Sequence, residues 1–184
     1  MKIIGVIGDS KKNYSSLSKG LGVWLAKQNV HLLTGGGQGV MAEVSQAFHK
    51  VSLRKGLVLG VIPQGSSKPY SPKSGYPNKW VEIPIYTHLH GKKGSKGAGV
   101  SAPKGSFSRN HINALTVAAM VALPGGAGTY AEMELAVKYC KPLVVYLGAK
   151  DTINGLSISA LKKKKFNVVT TLPAVQTFLL PYCL

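Results

Sequence analysis

Short apolar runs alternate along the 184-residue chain with segments in which apolar residues recur at helical spacing. Several runs are apolar at successive positions, as expected of strands that helices cover on both faces. The pattern predicts strands over residues 2–7, 30–34, 57–62, 81–85, 119–123 and 143–147. This alternation is typical of βαβ units. We therefore expect an α/β fold, with a Rossmann-like, doubly wound parallel sheet, in a single domain over residues 1–184.

The segments between the strands predict helices over residues 14–28, 40–50, 108–118 and 129–139. After residue 156 we expect a further helix, a short strand around residues 167–169 and a closing helix. Residues 63–79 and 87–106 are rich in Gly, Lys, Ser or Pro and follow predicted strands. Because ligands bind beyond the carboxyl ends of strands in open α/β sheets, these loops are expected beside a ligand crevice.

Two glycine-rich turns follow predicted strands. The first reads Gly35-Gly36-Gly37-Gln38-Gly39-Val40-Met41, and the second reads Pro124-Gly125-Gly126-Ala127-Gly128-Thr129. Glycine lets backbone N–H groups approach an anion closely, and the start of the following helix favours phosphate. Neither turn has the GxxxxGK[ST] pattern or the usual dinucleotide fingerprint. Two such turns at equivalent strand ends predict a shared phosphate site, the alternative being that the glycines serve only tight turns.

Two charged residues near the second turn each have two interpretations. Thr129 and Glu132 have the spacing of a capping box, in which Glu132 would only accept the N–H of Thr129. Otherwise the Glu132 carboxylate would lie near a bound ribose and stabilise an oxocarbenium-like state during N-glycosidic cleavage. Arg109 is either a surface arginine or a permanent cation that binds phosphate through two hydrogen bonds.

The run from Pro124 to Glu132 resembles the PGGxGTxxE motif of the "lonely guy" phosphoribohydrolases, which release cytokinin bases from nucleoside monophosphates and are often labelled lysine decarboxylases. The resemblance implies that Arg109 and Glu132 are a catalytic pair. The chain departs from the hydrolases around the arginine, where Phe107-Ser108-Arg109-Asn110 replaces their Met-His-x-Arg-Lys. Its first glycine turn is also a residue shorter than is typical of them.

Over residues 3–148 the chain is similar to the molybdenum cofactor carrier proteins and their bacterial relatives. The matching segments are TGGGQGVM, GVIP, VEIPIYT, RNHINAL and KPLVVYLG. The carriers bind a pterin with a terminal phosphate and have no known turnover. The resemblances imply a set of ligand-binding residues, which comprises Gly8, Thr34, Gly35, Gly36, Gly37, Gly39, Val40, Met41, Arg109, Asn110, Asn113, Pro124, Gly125, Gly126, Gly128 and Thr129.

Two functions follow as alternatives. The first is a binding protein for a phosphorylated nucleotide-like or pterin ligand, and the second is a nucleoside 5′-monophosphate phosphoribohydrolase. The expected ligand is a nucleoside monophosphate or the molybdenum cofactor, and no cofactor is required for the chemistry. The resemblance also implies a homo-oligomer, a dimer or a tetramer. A pyridoxal-phosphate lysine decarboxylase is not supported, since no motif fixes a cofactor lysine.

The charge balance is strongly basic, with 23 Lys and Arg against six Asp and Glu, for a formal net charge of +17. Such an excess attracts anions, and nucleic-acid binding is a third hypothesis that rests only on charge. No metal site is predicted, because no Cys or carboxylate completes a ligand set beside His88 and His90. A cytoplasmic location is expected, because no apolar stretch nears the roughly 20 residues of a membrane span and no signal peptide is evident.

Overall fold

The computed structural model describes residues 1–65, 71–89 and 108–184. Seven strands in this part of the chain form one sheet in the order β4-β3-β2-β1-β5-β6-β7. All neighbouring strands are parallel, so their carboxyl ends lie along one edge. The strands are β1 (Lys2–Ile7), β2 (Val30–Thr34), β3 (Val58–Ile62), β4 (Ile83–Tyr86), β5 (Ala119–Ala122), β6 (Leu143–Tyr146) and β7 (Val168–Val169).

Six helices cover the two faces of the sheet. They are α1 (Ser15–Lys27), α2 (Val40–His49), α3 (Arg109–Thr116), α4 (Ala127–Lys138), α5 (Ile158–Lys163) and α6 (Leu172–Cys183). Residues of α1, α2 and α6 pack into the apolar core on one face, and residues of α3, α4 and α5 into the core on the other. The expected α/β, doubly wound parallel sheet is therefore confirmed.

Two predicted boundaries differ from the structure in ways that matter for the site. Strand β4 begins at Ile83 rather than at residue 81, since the Val81 N–H is bonded within the preceding turn, to the Asn78 carbonyl oxygen at 3.2 Å. Helix α4 begins at Ala127, two residues earlier than expected. The chain thus becomes helical within the second glycine turn, which places Thr129 inside the helix.

The long loop after β3 is described from residue 71 onward, whereas most of the predicted loop 87–106 lies outside the described residues. Among the described helices, none has the length and apolar character needed to cross a membrane.

Candidate functional site

The two glycine turns lie at the same edge of the sheet, on either side of β1. Strand β1 pairs with β2 on one side and with β5 on the other. The chain leaving β1 runs between the turns, and the backbone of Asp9 contacts both. Its N–H donates to the Pro124 carbonyl oxygen at 2.9 Å, and its carbonyl oxygen accepts the Val40 N–H at 2.9 Å.

The first turn is closely packed by other parts of the chain. The guanidinium of Arg109 lies against Gly35, the side chain of Ile62 against Gly36, and the hydroxyl of Tyr76 against Gly37. At Gly39, φ is +65° and a Cβ would meet the Asp9 backbone, so this position requires glycine. The glycines of this turn accommodate close packing, and phosphate binding by them stays a prediction.

The other predicted ligand residues near the first turn are buried or, in the case of Gly8, half-buried. The Thr34 hydroxyl accepts the Gly36 N–H at 3.1 Å, which fixes the start of the turn. Val40 and Met41 open α2 with exposed fractions of 0% and 6%, and Gly8 packs against the Val40 side chain. These residues shape the turn, and no side chain among them carries a charge.

The second turn is open. Gly126, Ala127 and Gly128 are exposed, and a Cβ at either glycine would meet nothing within 4 Å. Helix α4 has Gly126 as its N-cap, with no side-chain cap. The first N–H groups of a helix have no partner within the helix. Here no side chain of the described residues caps them, and Gly126, Ala127 and Gly128 at the start of this 12-residue helix are exposed.

The base of the second turn is held by its neighbours. Gly125 packs against the Thr129 side chain, and its N–H donates to the Thr152 carbonyl oxygen at 3.3 Å. Pro124 is buried, and its carbonyl oxygen accepts the Asp9 N–H at 2.9 Å. Hydrogen bonds therefore fix the base of the turn, next to its exposed residues.

Arg109 is the first residue of α3 and is only 7% exposed, so it is not a surface arginine. Its Nη1 donates to the Val61 carbonyl oxygen at 3.2 Å, at the end of β3. Its Nε is buried and has no hydrogen-bond partner among the described residues. The guanidinium therefore keeps one unused donor beside the first turn.

Glu132 projects from α4 and is 8% exposed. Its Oε1 accepts a hydrogen bond of 2.7 Å from Nδ2 of Asn113 on α3. Because α4 begins at Ala127, the capping-box interpretation of Thr129 and Glu132 is wrong. Burial raises the pKa of Glu132 above its usual range, and the nearby Arg109 charge and the Asn113 hydrogen bond offset this only in part.

Two asparagines complete this buried polar cluster, which consists of Arg109, Asn110, Asn113 and Glu132. Asn110 is 6% exposed and Asn113 is fully buried. Within the described part of the chain, the Oδ1 atom of each has no hydrogen-bond partner. No ion pair within 4.0 Å joins Arg109 to Glu132. Buried polar atoms are rarely left unpaired, so the cluster has unused hydrogen-bonding capacity of both kinds.

Sequence reasoning did not find two participants. Asp9 bridges the turns through its backbone, and Asn78 donates from its N–H and its Nδ2 to the carbonyl oxygens of Gly36 and Gly37, at 2.8 Å each. A Gly-Asp pair directly after β1 was the only local signal for Asp9. Among the described residues no group of three His, Cys, Asp or Glu could hold a metal ion. His88 is exposed, and His90 lies outside the described residues.

Comparison with solved structures finds the same fold in several proteins. The molybdenum cofactor carrier protein of Chlamydomonas reinhardtii is 27% identical, with a TM-score of 0.67, covering 97% of this chain and 98% of the carrier. The molybdenum cofactor binding protein of Rippkaea orientalis is 23% identical, with a TM-score of 0.66 and 97% of each chain covered. DNA processing protein A of Helicobacter pylori is 18% identical, with a TM-score of 0.65, covering 100% of this chain and 82% of that protein. The last two likenesses show the fold alone.

No protein with a curated description matches the chain in sequence. The model of the SLOG cluster4 family matches residues 1–173, which is nearly the whole chain. The resemblance to the "lonely guy" and lysine decarboxylase-like superfamily agrees with this match and with the shared fold. The chain therefore belongs to the SLOG cluster4 family.

Proposed function

We propose that this protein binds a phosphorylated ligand of the nucleotide or pterin type, with the phosphate on the second glycine turn. One observation carries the proposal: the uncapped start of α4 exposes Gly126, Ala127 and Gly128 with no side chain covering them. Free N–H groups and the partial positive charge at a helix start form a ready anion site.

The buried polar cluster supports a binding site near α4, and it offers hydrogen-bond partners to the part of the ligand beyond the phosphate. Asn113 and Glu132 link α3 to α4, the helix that begins in the second turn. The unpaired oxygens of Asn110 and Asn113 and the free Nε of Arg109 would gain partners from a bound polar group. The ligand then carries a phosphate at one end and a polar, hydrogen-bonding portion at the other.

The likeness to the Chlamydomonas carrier supports a binding role. That protein is named as a carrier of the molybdenum cofactor, and it matches this chain along almost its whole length. The residues predicted to bind phosphate in this chain, Gly125, Gly126, Gly128 and Thr129, would hold the phosphate in either ligand class.

Calorimetric titration with AMP, GMP and purified molybdenum cofactor tests the proposal, with inorganic phosphate as a minimal probe. Gly128→Asp puts a carboxylate at the exposed helix start, where it also stabilises the helix. We expect it to weaken ligand binding about fivefold or more, since a like charge at ~4 Å costs about 1–4 kcal/mol. Gly128→Asn is the matched control, because it adds nearly the same volume without the charge.

The proposal is wrong if none of the four probes binds to the wild-type protein. It is also wrong if Gly128→Asp and Gly128→Asn bind with equal affinity, because the charge at this turn would then be irrelevant.

The second candidate function is hydrolysis of a nucleoside 5′-monophosphate, and the position of Glu132 favours it. The carboxylate is buried beside Arg109 and is not used as a helix cap. The carboxylate stabilises a developing ribosyl cation only when it is ionised. Because burial raises the pKa of Glu132, hydrolysis requires a pH above that raised pKa. Chromatography of reactions with AMP separates the alternatives. Base release that Glu132→Gln abolishes would establish the hydrolase, and tight retention of AMP without release would establish the carrier.

Assembly as a dimer or tetramer stays a prediction, which light scattering on the purified chain tests. The proposal needs no bound cofactor for chemistry, since the phosphorylated molecule is itself the ligand.

A further inference from the structure

A cavity lies outside the first glycine turn, between the start of α2 and residues 75–80. Its volume is about 310 Å³, which is at the lower end of the range for small-molecule sites. Tyr76, Asn78, Lys79 and Trp80 line one side, and Gln38 lines the other. No residue of the buried polar cluster lines it, so this cavity is separate from the site proposed above.

The wall of this cavity is held in place by hydrogen bonds. Asn78 is 3% exposed and donates to the carbonyl oxygens of Gly36 and Gly37. Its Oδ1 accepts the Trp80 N–H at 3.1 Å. Across the cavity, Nε2 of Gln38 donates to the Gly75 carbonyl oxygen at 3.0 Å. The shape is therefore already formed without a ligand.

Lysine ammonium groups lie near the rings of both aromatic side chains of the wall. Nζ of Lys79 lies 4.9 Å from the ring centre of Trp80, and Nζ of Lys50 lies 5.6 Å from it. Nζ of Lys73 lies 5.4 Å from the ring centre of Tyr76. Each ammonium is attracted to the aromatic face it approaches.

None of these three lysines has a carboxylate partner in the described part of the chain. The chain has only six Asp and Glu residues, and the two carboxylates nearest in sequence are committed elsewhere. Glu43 pairs with Lys19 and Ser15, and Glu82 pairs with Arg54. Lys79, which lines the cavity beside Tyr76 and Trp80, therefore carries a positive charge that no carboxylate of the described residues neutralises.

We propose that this cavity binds a small planar aromatic molecule that carries an anionic group. The ring contacts Tyr76 and Trp80, and the anion pairs with Lys79, the lysine that lines the cavity. A neutral ring leaves the Lys79 ammonium group unpaired, and a non-aromatic anion makes no ring contact with Tyr76 and Trp80, so neither uses both features.

Nuclear magnetic resonance tests this proposal directly, because the chain has only two tryptophans, Trp24 and Trp80. The probe is naphthalene-2-carboxylate, with naphthalene-2-methanol as the neutral ring and cyclohexanecarboxylate as the non-aromatic anion. We expect only the first probe to shift the indole N–H signal of Trp80 saturably. The Trp24 signal, from a side chain on α1 packed against the core, stays in place.

Lys79→Ala should weaken the response to the probe about threefold, the size expected for one exposed ion pair. Lys79 is exposed, so this variant keeps the fold. Gly128→Asp should leave the response of Trp80 unchanged, which separates this cavity from the phosphate site. Equal binding of the neutral ring, equal shifts of both indole signals, or no saturable shift of Trp80 would each overturn the proposal.

Discussion

Nδ2 of Asn113 donates a 2.7 Å hydrogen bond to Oε1 of Glu132, and this bond joins α3 to α4 inside the fold. It is the only hydrogen bond to that carboxylate from the described residues, and Arg109 does not come within ion-pair distance. A buried carboxylate with one neutral donor is poorly compensated for the loss of water. The stability of the protein should therefore depend on the protonation of Glu132.

Glu132→Gln should stabilise the protein at neutral pH. The folded state raises the pKa of Glu132, so it favours the neutral carboxyl. The contribution of this group to stability is complete below its unfolded pKa and is lost as the pH rises through the folded pKa. The neutral variant avoids this loss, which we expect to be about 1–3 kcal/mol. Urea unfolding between pH 4 and pH 8 measures it.

The matched control for this change is Glu134→Gln, on the same helix but exposed. It should alter the free energy of unfolding by less than about 0.5 kcal/mol. If Glu132→Gln destabilises the protein at pH 7, the ionised carboxylate is better compensated than the geometry indicates.

Glu82→Gln should have the opposite pH dependence. Burial alone would raise the pKa of Glu82, but hydrogen bonds from Arg54 and the Val58 amide outweigh it, and the pKa is lowered. This contribution to stability is present above the unfolded pKa and is lost as the pH falls through the folded pKa. We expect Glu82→Gln to cost about 1–2 kcal/mol at pH 7 and less in acid, by the same urea measurements. A cost that grows as the pH falls would contradict the assignment.

Gly35→Ala should destabilise the protein through Arg109. The new Cβ would collide with the guanidinium, which is buried and bonded to the Val61 carbonyl oxygen. We expect a loss of about 1–3 kcal/mol, typical of overpacking. In a double-mutant cycle with Arg109→Ala, the cost of Gly35→Ala should fall by about 1 kcal/mol or more. Additive costs would mean that the collision is relieved elsewhere.

Gly128→Ala should stabilise the protein without ligand. Gly128 lies in the first turn of α4, its φ is not positive, and a Cβ there meets nothing within 4 Å. Alanine removes conformational freedom from the unfolded chain, so we expect a gain of about 0.4–1 kcal/mol. Thermal unfolding measured by calorimetry detects the corresponding rise in Tm. A lower Tm would mean that the start of α4 is not helical in solution.

The sheet could be predicted from the sequence because buried parallel strands are apolar at successive positions, as in Val58–Ile62 and Ala119–Ala122. The start of β4 could not, since Val81 is β-branched like a typical strand residue, whereas its N–H bonds to Asn78 in the preceding turn. The partnership of Arg109 and Glu132 was implied only by resemblance. Their burial and the bond to Asn113 depend on how α3 packs on α4, which no local pattern encodes.

The sequence alone also could not predict the contrast between the two glycine turns. Both turns are rich in glycine, but Tyr76, Ile62 and Arg109 pack against the first, whereas the second is open. Tyr76 and Arg109 come from segments far along the chain. Only long-range contacts distinguish a turn that needs glycine for packing from one that leaves its amides exposed.

The peptide units on either side of Asp9 connect the starts of two helices. The N–H of Asp9 is bonded to Pro124 and its carbonyl oxygen to Val40, so a shift of either turn strains a hydrogen bond to the other. An anion that displaces the start of α4 would therefore also strain the hydrogen bond between Asp9 and Val40 at the start of α2. The amide hydrogens of Asp9 and Val40 should then change their exchange rates together, although they belong to different turns.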